Sequence, residues 1–369
     1  MRRRRAGFAG TLVLILCAWT AWGAPLEEIR QILRDRALHP PAEPALAALR
    51  DKTLDGDLKS MDPYARHIPA RDYRSPAWRS DARAGIGAEL MERDGGVLLS
   101  VYSGGSAHRA GLPDRSRLLA VDAHSVTGRD IQTVADLLRG KEGEPVRLLV
   151  LTPKGRKRTV QVTREPFRPP AVETVEVEGG LVIRIRRFQS GLTRNGLRAT
   201  MEFLLGRHAP GSGTGTEPVI LDLRDATGGD LYEAFDTAAM FLPPGRSLGT
   251  MVDRTGKRRE FISPAGEKKT MPLALIIGRD TASAAEIFVG ALQQNNRGRV
   301  VGQPSYGKCA SQTDVPLSDG SVLRLTNSEV LLPDGDSCTG MGLQPDLEVS
   351  DAEQGSLSLL LQKAMQVLK

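Results

Sequence analysis

The sequence predicts a multidomain α/β protein: a small N-terminal helical segment, a compact strand-rich module, and a core built on a layered mixed sheet. Three observations carry that expectation. The 369-residue length suits two or three folded units of ordinary size. Short apolar strands crowd residues 85–165, and from about residue 172 strand-like and helix-like stretches alternate, which is the rhythm of an α/β layer structure. The composition is that of a globular chain, with 25% charged and 40% hydrophobic residues.

Residues 1–23 read as an export signal. Arg2 to Arg5 form a positive head, Phe8 to Trp22 an apolar stretch short for a spanning helix, and Ala21 and Gly23 are small residues before a cut at Ala24. The expected location is the periplasm or cell envelope, with an uncleaved membrane anchor as the alternative. Leu16 stands before Cys17 where a lipoprotein signal wants a small residue, so lipid attachment is not expected. The formal charge is +6, and without the Arg run it falls to +2; with 4% aromatic residues, no nucleic-acid partner is expected. Beyond the signal two cysteines remain, Cys309 and Cys338, and an even count in an oxidising compartment permits one bridge.

Residues 24–83 are expected to be helical. Leu26, Ile29, Ile32 and Leu33 recur at helical spacing, the Pro-rich run His39 to Pro44 breaks that helix, and a second helical stretch covers 45–61 before Asp62-Pro63. Residues 84–165 form the strand-rich module, with strands at Val97–Val101, Leu118–Val121, Val146–Leu151 and Thr159–Val162 and helices at 106–110 and 131–138. The module resembles a PDZ domain through Gly85-Ile86-Gly87-Ala88, Gly105-Ser106-Ala107, Ala110-Gly111-Leu112 and Leu119-Ala120-Val121-Asp122. The resemblance implies that Gly85, Ile86, Gly87 and Ala88 present backbone N–H groups to a peptide carboxylate beside a strand edge that accepts the peptide as an extra strand. One departure falls in the turn before the last of these motifs, where Asp114-Arg115-Ser116 replaces the usual Pro-Gly-Asp.

Residues 166–349 are the expected core, followed by a C-terminal helix in 350–369. Strands are expected at Leu181–Ile185, 218–223 and Leu273–Ile277, helices at 192–205, 231–242 and 283–293, and a loose surface loop at His208–Thr216. Three motifs stand at its strand ends. Asp222-Leu223-Arg224-Asp225-Ala226-Thr227-Gly228-Gly229 opens a helix with paired glycines, whose N–H groups favour negative charge. Arg279 to Ile287 places Ser283 at a helix start, where α/β chemistry often sits. Taken alone, the motif reads first as an ordinary cap, with Thr281 or Ser283 at the N-cap and Glu286 completing a capping box. Ser305 to Gln312 is expected on a strand, whose spacing puts Lys308 and Gln312 on one face.

Together, A-S-A-A-E-I, a Y-G-K whose Lys lies 25 residues after Ser283, and a Gln four further on resemble the C-terminal processing peptidases. The resemblance covers about 290 residues, including Met61-Asp62-Pro63-Tyr64 and Gly340-Met341-Gly342-Leu343-Gln344-Pro345-Asp346. It implies Ser283 as nucleophile, Lys308 as general base and Gln312 as the residue that orients the base. Backbone N–H groups of Gly228 or Gly229 and of Ala284 would form the oxyanion hole. A working Lys base must be desolvated, because its ordinary pKa is near 10.4.

The expected activity is therefore exported serine endopeptidase action on protein or peptide substrates with free C-termini, without cofactor or metal. An adaptor protein or homo-oligomer is a further expected partner. A catalytically silent PDZ scaffold, an adaptor-dependent protease and a hydrolase of small esters are the alternatives. All five histidines lie outside 217–349, so a Ser-His-Asp triad is not indicated, and neither H-E-x-x-H nor paired Cys occurs. Two departures from the family pattern stand near the site: Ala226-Thr227 for Asn-Pro, and Cys309 for Gly. A Cys309–Cys338 bridge would pin the segment carrying the base.

Overall fold

A computed structural model of the protein describes residues 24–73, 83–206, 217–266 and 269–369. The signal reading of 1–23 and the loop reading of 208–216 lie outside the described residues.

The core is a six-stranded mixed sheet. Its order is Val172–Val177, Gly180–Ile185, Val219–Asp222, Leu273–Ile277, Arg299–Gly302, Leu347–Glu348, the first pair antiparallel and the rest parallel. Leu273-Ala274-Leu275-Ile276-Ile277 is apolar throughout because both sheet faces are covered. Ile183, Ile185, Leu221, Leu275 and Ile277 point to one side, where the helices Thr193–Gly206, Leu231–Ala239 and Ala284–Gln294 pack. Val182, Ile220, Ala274, Ile276 and Val301 point to the other, under Leu360, Leu361 and Ala364 of the C-terminal helix Leu357–Val367.

A second, five-stranded antiparallel sheet leans on this core. The strand Val322–Leu331 is its spine and pairs with Ala310–Pro316, with Ser247–Asp253 and with Arg66–Ile68; Arg258–Ile262 pairs with Ser247–Asp253. Arg66–Ile68 belongs to the N-terminal segment, which is therefore not helical throughout. The expected helix over 45–61 is also broken, into Glu43–Ala47, a 3₁₀ turn at Asp51–Thr53 and Leu54–Met61. The break is local chemistry: Arg30 donates to the carbonyls of Leu46 and Leu49 at 2.8 and 3.1 Å, and the Asp57 carboxylate accepts from Arg50 N at 3.1 Å. Ile29, Leu33, Leu46, Leu54 and Leu58 then pack on Val315, Leu323 and Leu325, seating the segment on the second sheet.

In sequence, the strand-rich module stands between the N-terminal segment and the core sheet. Its sheet runs Ala88–Arg93, Gly96–Val101, Ser116–Val121, Pro145–Leu151, Lys157–Thr163, and Arg83–Gly85 pairs with Glu165–Phe167 to close entry against exit. The turn that departs from Pro-Gly-Asp is formed with Arg115 at φ +59°, a left-handed conformation that glycine adopts without penalty.

Candidate active site

Ser283 sits where the strand Leu273–Ile277 turns into the helix Ala284–Gln294, with φ +57° and ψ −125°. That conformation is unfavourable for a side-chain-bearing residue, so the surroundings must hold it. Thr281 does so on one side: its Oγ1 accepts from Gly278 N at 2.9 Å and donates to the Leu223 carbonyl at 2.8 Å. Ala282 N donates to the Ala226 carbonyl at 3.0 Å, which ties the serine turn to the glycine turn.

On that glycine turn, Gly228 has φ +103°, and a Cβ there would stand 2.7 Å from Ser283 Cβ. Gly229 has φ +131°, and its Cβ would stand 2.1 Å from the Phe188 carbonyl oxygen. Only glycine fits either place. Among the described residues, the N–H groups of Gly228, Gly229 and Ala284 meet no protein acceptor. Three unspent backbone donors thus stand at the serine turn. Ala226 and Thr227, the departures from Asn-Pro, leave the turn intact.

Lys308 does not lie on a strand, as its spacing suggested; the strand begins at Ala310, and a register shift falls between Ser311 and Gln312. The two side chains meet nevertheless, Lys308 Nζ donating to Gln312 Oε1 at 2.9 Å. Burial, followed by the nearby Arg324 and Arg66 guanidiniums, lowers the Lys308 pKa below its ordinary value, while Asp62 and Glu286 oppose the shift. Ser283, Ala284, Gly229, Lys308 and Gln312 line one cleft of about 600 Å³.

Glu286, which the sequence suggests only as a cap partner, joins the serine turn to the lysine loop. It is fully buried, and its carboxylate accepts four hydrogen bonds. Oε2 takes Ser283 N at 2.9 Å and Lys308 N at 2.7 Å; Oε1 takes Ser305 Oγ at 2.5 Å and Gly307 N at 2.7 Å. Cys309 and Cys338 form a disulfide with Cα atoms 5.3 Å apart, tethering the residue after Lys308 to the turn Cys338–Gly342. Gly340 N donates to the Gly307 carbonyl at 3.0 Å across the same junction. Among the described residues, no three His, Cys, Asp or Glu side chains gather to hold a metal ion.

In the module, the Gly85-Ile86-Gly87-Ala88 loop is fixed from behind. Ile86 O accepts from Ala107 N at 2.8 Å, and Gly87 O accepts from Tyr102 N at 3.0 Å. A Cβ on Gly87, at φ +66°, would stand 2.8 Å from Gly105 Cα. Among the described residues, Ala88–Arg93 pairs only with Gly96–Val101, and its other edge carries no strand.

A buried ionic layer joins module to core. Arg115 bonds Asp225 of the glycine motif, whose other oxygen accepts from Ser100 Oγ at 2.6 Å. Arg186 bonds Glu173 at 2.6 Å and the Val101 carbonyl at 2.6 Å, and Arg184 spans Asp222 at 2.8 Å and Asp114 at 2.9 Å. Burial alone would raise the Asp225 pKa; the Arg115, Arg184, Arg224 and Arg186 guanidiniums hold it far below the usual carboxylate range instead. Arg93 bonds Asp280, three residues before Ser283.

Comparison with known proteins agrees with this architecture. Residues 181–349 match Peptidase family S41 and residues 97–152 match a PDZ domain. The chain is 30% identical over 319 residues to a probable CtpA-like serine protease of Staphylococcus aureus, covering 85% of this chain and 62% of that protein. It is 28% identical over 319 residues to a probable CtpA-like serine protease of Staphylococcus haemolyticus, with the same coverage. The chain thus spans 62% of the length of these curated relatives. In fold it resembles the photosystem II D1 C-terminal processing protease, with TM-score 0.64 and 22% identity over 92% of this chain and 96% of that one. A putative S41 protease from Bacteroides fragilis gives TM-score 0.64 at 16% identity, covering 99% of both chains. Residues 181–349 thus match a peptidase family S41 domain, and residues 97–152 ahead of them match a PDZ domain.

Proposed function

We infer that this protein is an exported serine endopeptidase that captures the C-terminal end of a protein substrate on its PDZ domain and cleaves it with a Ser283–Lys308 dyad. The observation that carries the reading is a half-buried lysine, held by Gln312, sharing a cleft with a serine whose turn is flanked by unspent N–H donors.

In the proposed reaction, Ser283 Oγ bonds to the scissile carbonyl carbon as its proton passes to neutral Lys308 Nζ. The carbonyl oxygen takes up negative charge and meets the N–H groups of Ala284 and of Gly228 or Gly229. As the C–N bond breaks, the Lys308 ammonium returns the proton to the leaving amine. Water then releases the acyl group with Lys308 again as base. The open Ala88–Arg93 edge supports tail capture by strand addition, and the Ser–Lys chemistry calls for no cofactor. Export to the cell envelope rests on the pattern of residues 1–23. CtpA-like relatives support the protease class.

The test is incubation of the protein with an unstructured protein ending in an apolar residue, beside Ser283→Ala and Lys308→Ala. Cleavage by the parent and by neither variant supports the reading. Tail binding without cleavage by all three favours a silent scaffold or an adaptor-dependent protease.

A further inference from the structure

Tyr64 lies far from the catalytic motifs in sequence, yet three contacts converge on it at the base. Its carbonyl oxygen accepts from Gln312 Nε2 at 2.8 Å. Its ring centroid lies 4.7 Å from Lys308 Nζ. Its hydroxyl donates to the Gly307 carbonyl at 3.2 Å. Asp62 fixes the residue in turn: Oδ1 accepts from Tyr64 N at 2.9 Å, and Oδ2 accepts from Thr326 N at 2.8 Å. Thr326 is the register partner of Gln312, so Asp62, Thr326, Gln312 and Tyr64 close a ring of contacts around the base.

We propose that Tyr64 is a positioning residue for Lys308, fixing the amide of Gln312 through its carbonyl and covering Nζ with its ring. The proposal rests on the Ser–Lys reading above. With Nε2 committed to Tyr64, Gln312 can offer Lys308 only its oxygen, which engages one amine N–H and leaves the Nζ lone pair for another direction. The ring shields Nζ from water before reaction, when the neutral amine is needed. When the Ser283 proton arrives, the ring's negative face and Gln312 Oε1 both meet the new ammonium. Arg324 and Arg66 face Lys308 from the second sheet, Arg324 being paired with Asp314, while Asp62 and Glu286 face it from the other elements. Burial raises the Tyr64 phenol above its ordinary range, so the hydroxyl stays a donor.

The test compares Tyr64→Ala and Tyr64→Phe with the parent in two readouts. The first is the pH profile of kcat/KM, with kcat and KM separated. The second is titration of the Lys308 side-chain carbon signal by NMR, assigned by its loss in Lys308→Met. Tyr64→Ala is expected to cut kcat about tenfold or more with KM changed less than about threefold. Burial is the largest influence on the Lys308 pKa, so the lost shielding outweighs the lost attraction of the ring face, and the Lys308 midpoint and the acid limb should move upward together. Tyr64→Phe, which keeps ring and carbonyl, is expected to retain the parent's midpoint and most of its kcat.

An unmoved midpoint in Tyr64→Ala overturns the proposal. If Tyr64→Ala does not fold, Tyr64→Leu takes its place, keeping bulk without the π face. If the parent cleaves nothing, the function reading fails while the Lys308 titration still decides the role of Tyr64.

Discussion

One oxygen of Glu286, Oε2, accepts the backbone amides of both Ser283 and Lys308, at 2.9 and 2.7 Å. The proposed nucleophile and base are thereby held from a single atom, although 25 residues of chain separate them. The other oxygen takes Ser305 Oγ and Gly307 N, so every acceptor position of this fully buried carboxylate faces a donor.

Glu286→Gln replaces one acceptor oxygen with an NH₂ that faces donors. The expected cost is about 2–4 kcal/mol of stability, together with loss of most of kcat. Urea denaturation and steady-state kinetics check it. A variant with parent stability and parent kcat would show that the carboxylate is dispensable.

Lys308 should set the acid limb of activity. Because burial lowers its folded pKa, activity rises with pH through a midpoint below that of an ordinary lysine. The stability sign is opposite to that of a paired lysine. Folding disfavours the charged form, so Lys308 costs stability below its folded pKa, and the cost disappears as pH rises past its unfolded value. Lys308→Met should therefore be inactive yet melt above the parent at pH 6, the gain shrinking toward pH 10. Calorimetry across that range is the check, and a variant melting below the parent at pH 6 would contradict the argument.

The Cys309–Cys338 bridge closes 29 residues of sequence separation. Chain-entropy arithmetic gives it about 3–4 kcal/mol. The full denatured, unreduced protein, which also carries Cys17, should titrate one thiol rather than three. Cys309→Ala with Cys338→Ala should lower the urea midpoint and reduce kcat more than it raises KM, since the bridge adjoins the base and lies away from the PDZ groove.

Arg115 tests the joint between PDZ domain and core. Arg115→Ala removes the partner of buried Asp225 and is expected to cost about 3–5 kcal/mol. Arg115→Gly loses the same pair but relieves the left-handed backbone, so it should be milder by about 1 kcal/mol. Paired denaturation curves measure the difference. Equal losses would mean that the turn carries no strain.

Much of the fold was legible because its signals are local. The all-apolar run Leu273–Ile277, the glycine turn and the helix start at Ser283 can each be read within ten residues. What escaped depends on long-range pairing. The strand Val322–Leu331 gains its place only from Ala310–Pro316, Ser247–Asp253 and Arg66–Ile68 beside it. Glu286 looked like a cap because its bond to Ser283 N is three residues long, while its bonds to 305, 307 and 308 have no sequence signature. Arg115 looked like a damaged turn because Asp225, its partner, stands 110 residues away.

The bond from Gln312 to Tyr64 spans 248 residues. In synthesis and in N-terminal-first passage across a membrane alike, Tyr64 comes first and Gln312 late, so N-terminal parts can fold first. Such distant closure also makes formation of this corner slow relative to local structure. The PDZ domain, closed where Arg83–Gly85 pairs with Glu165–Phe167, needs no residue as late as Gln312 and can form before this corner does.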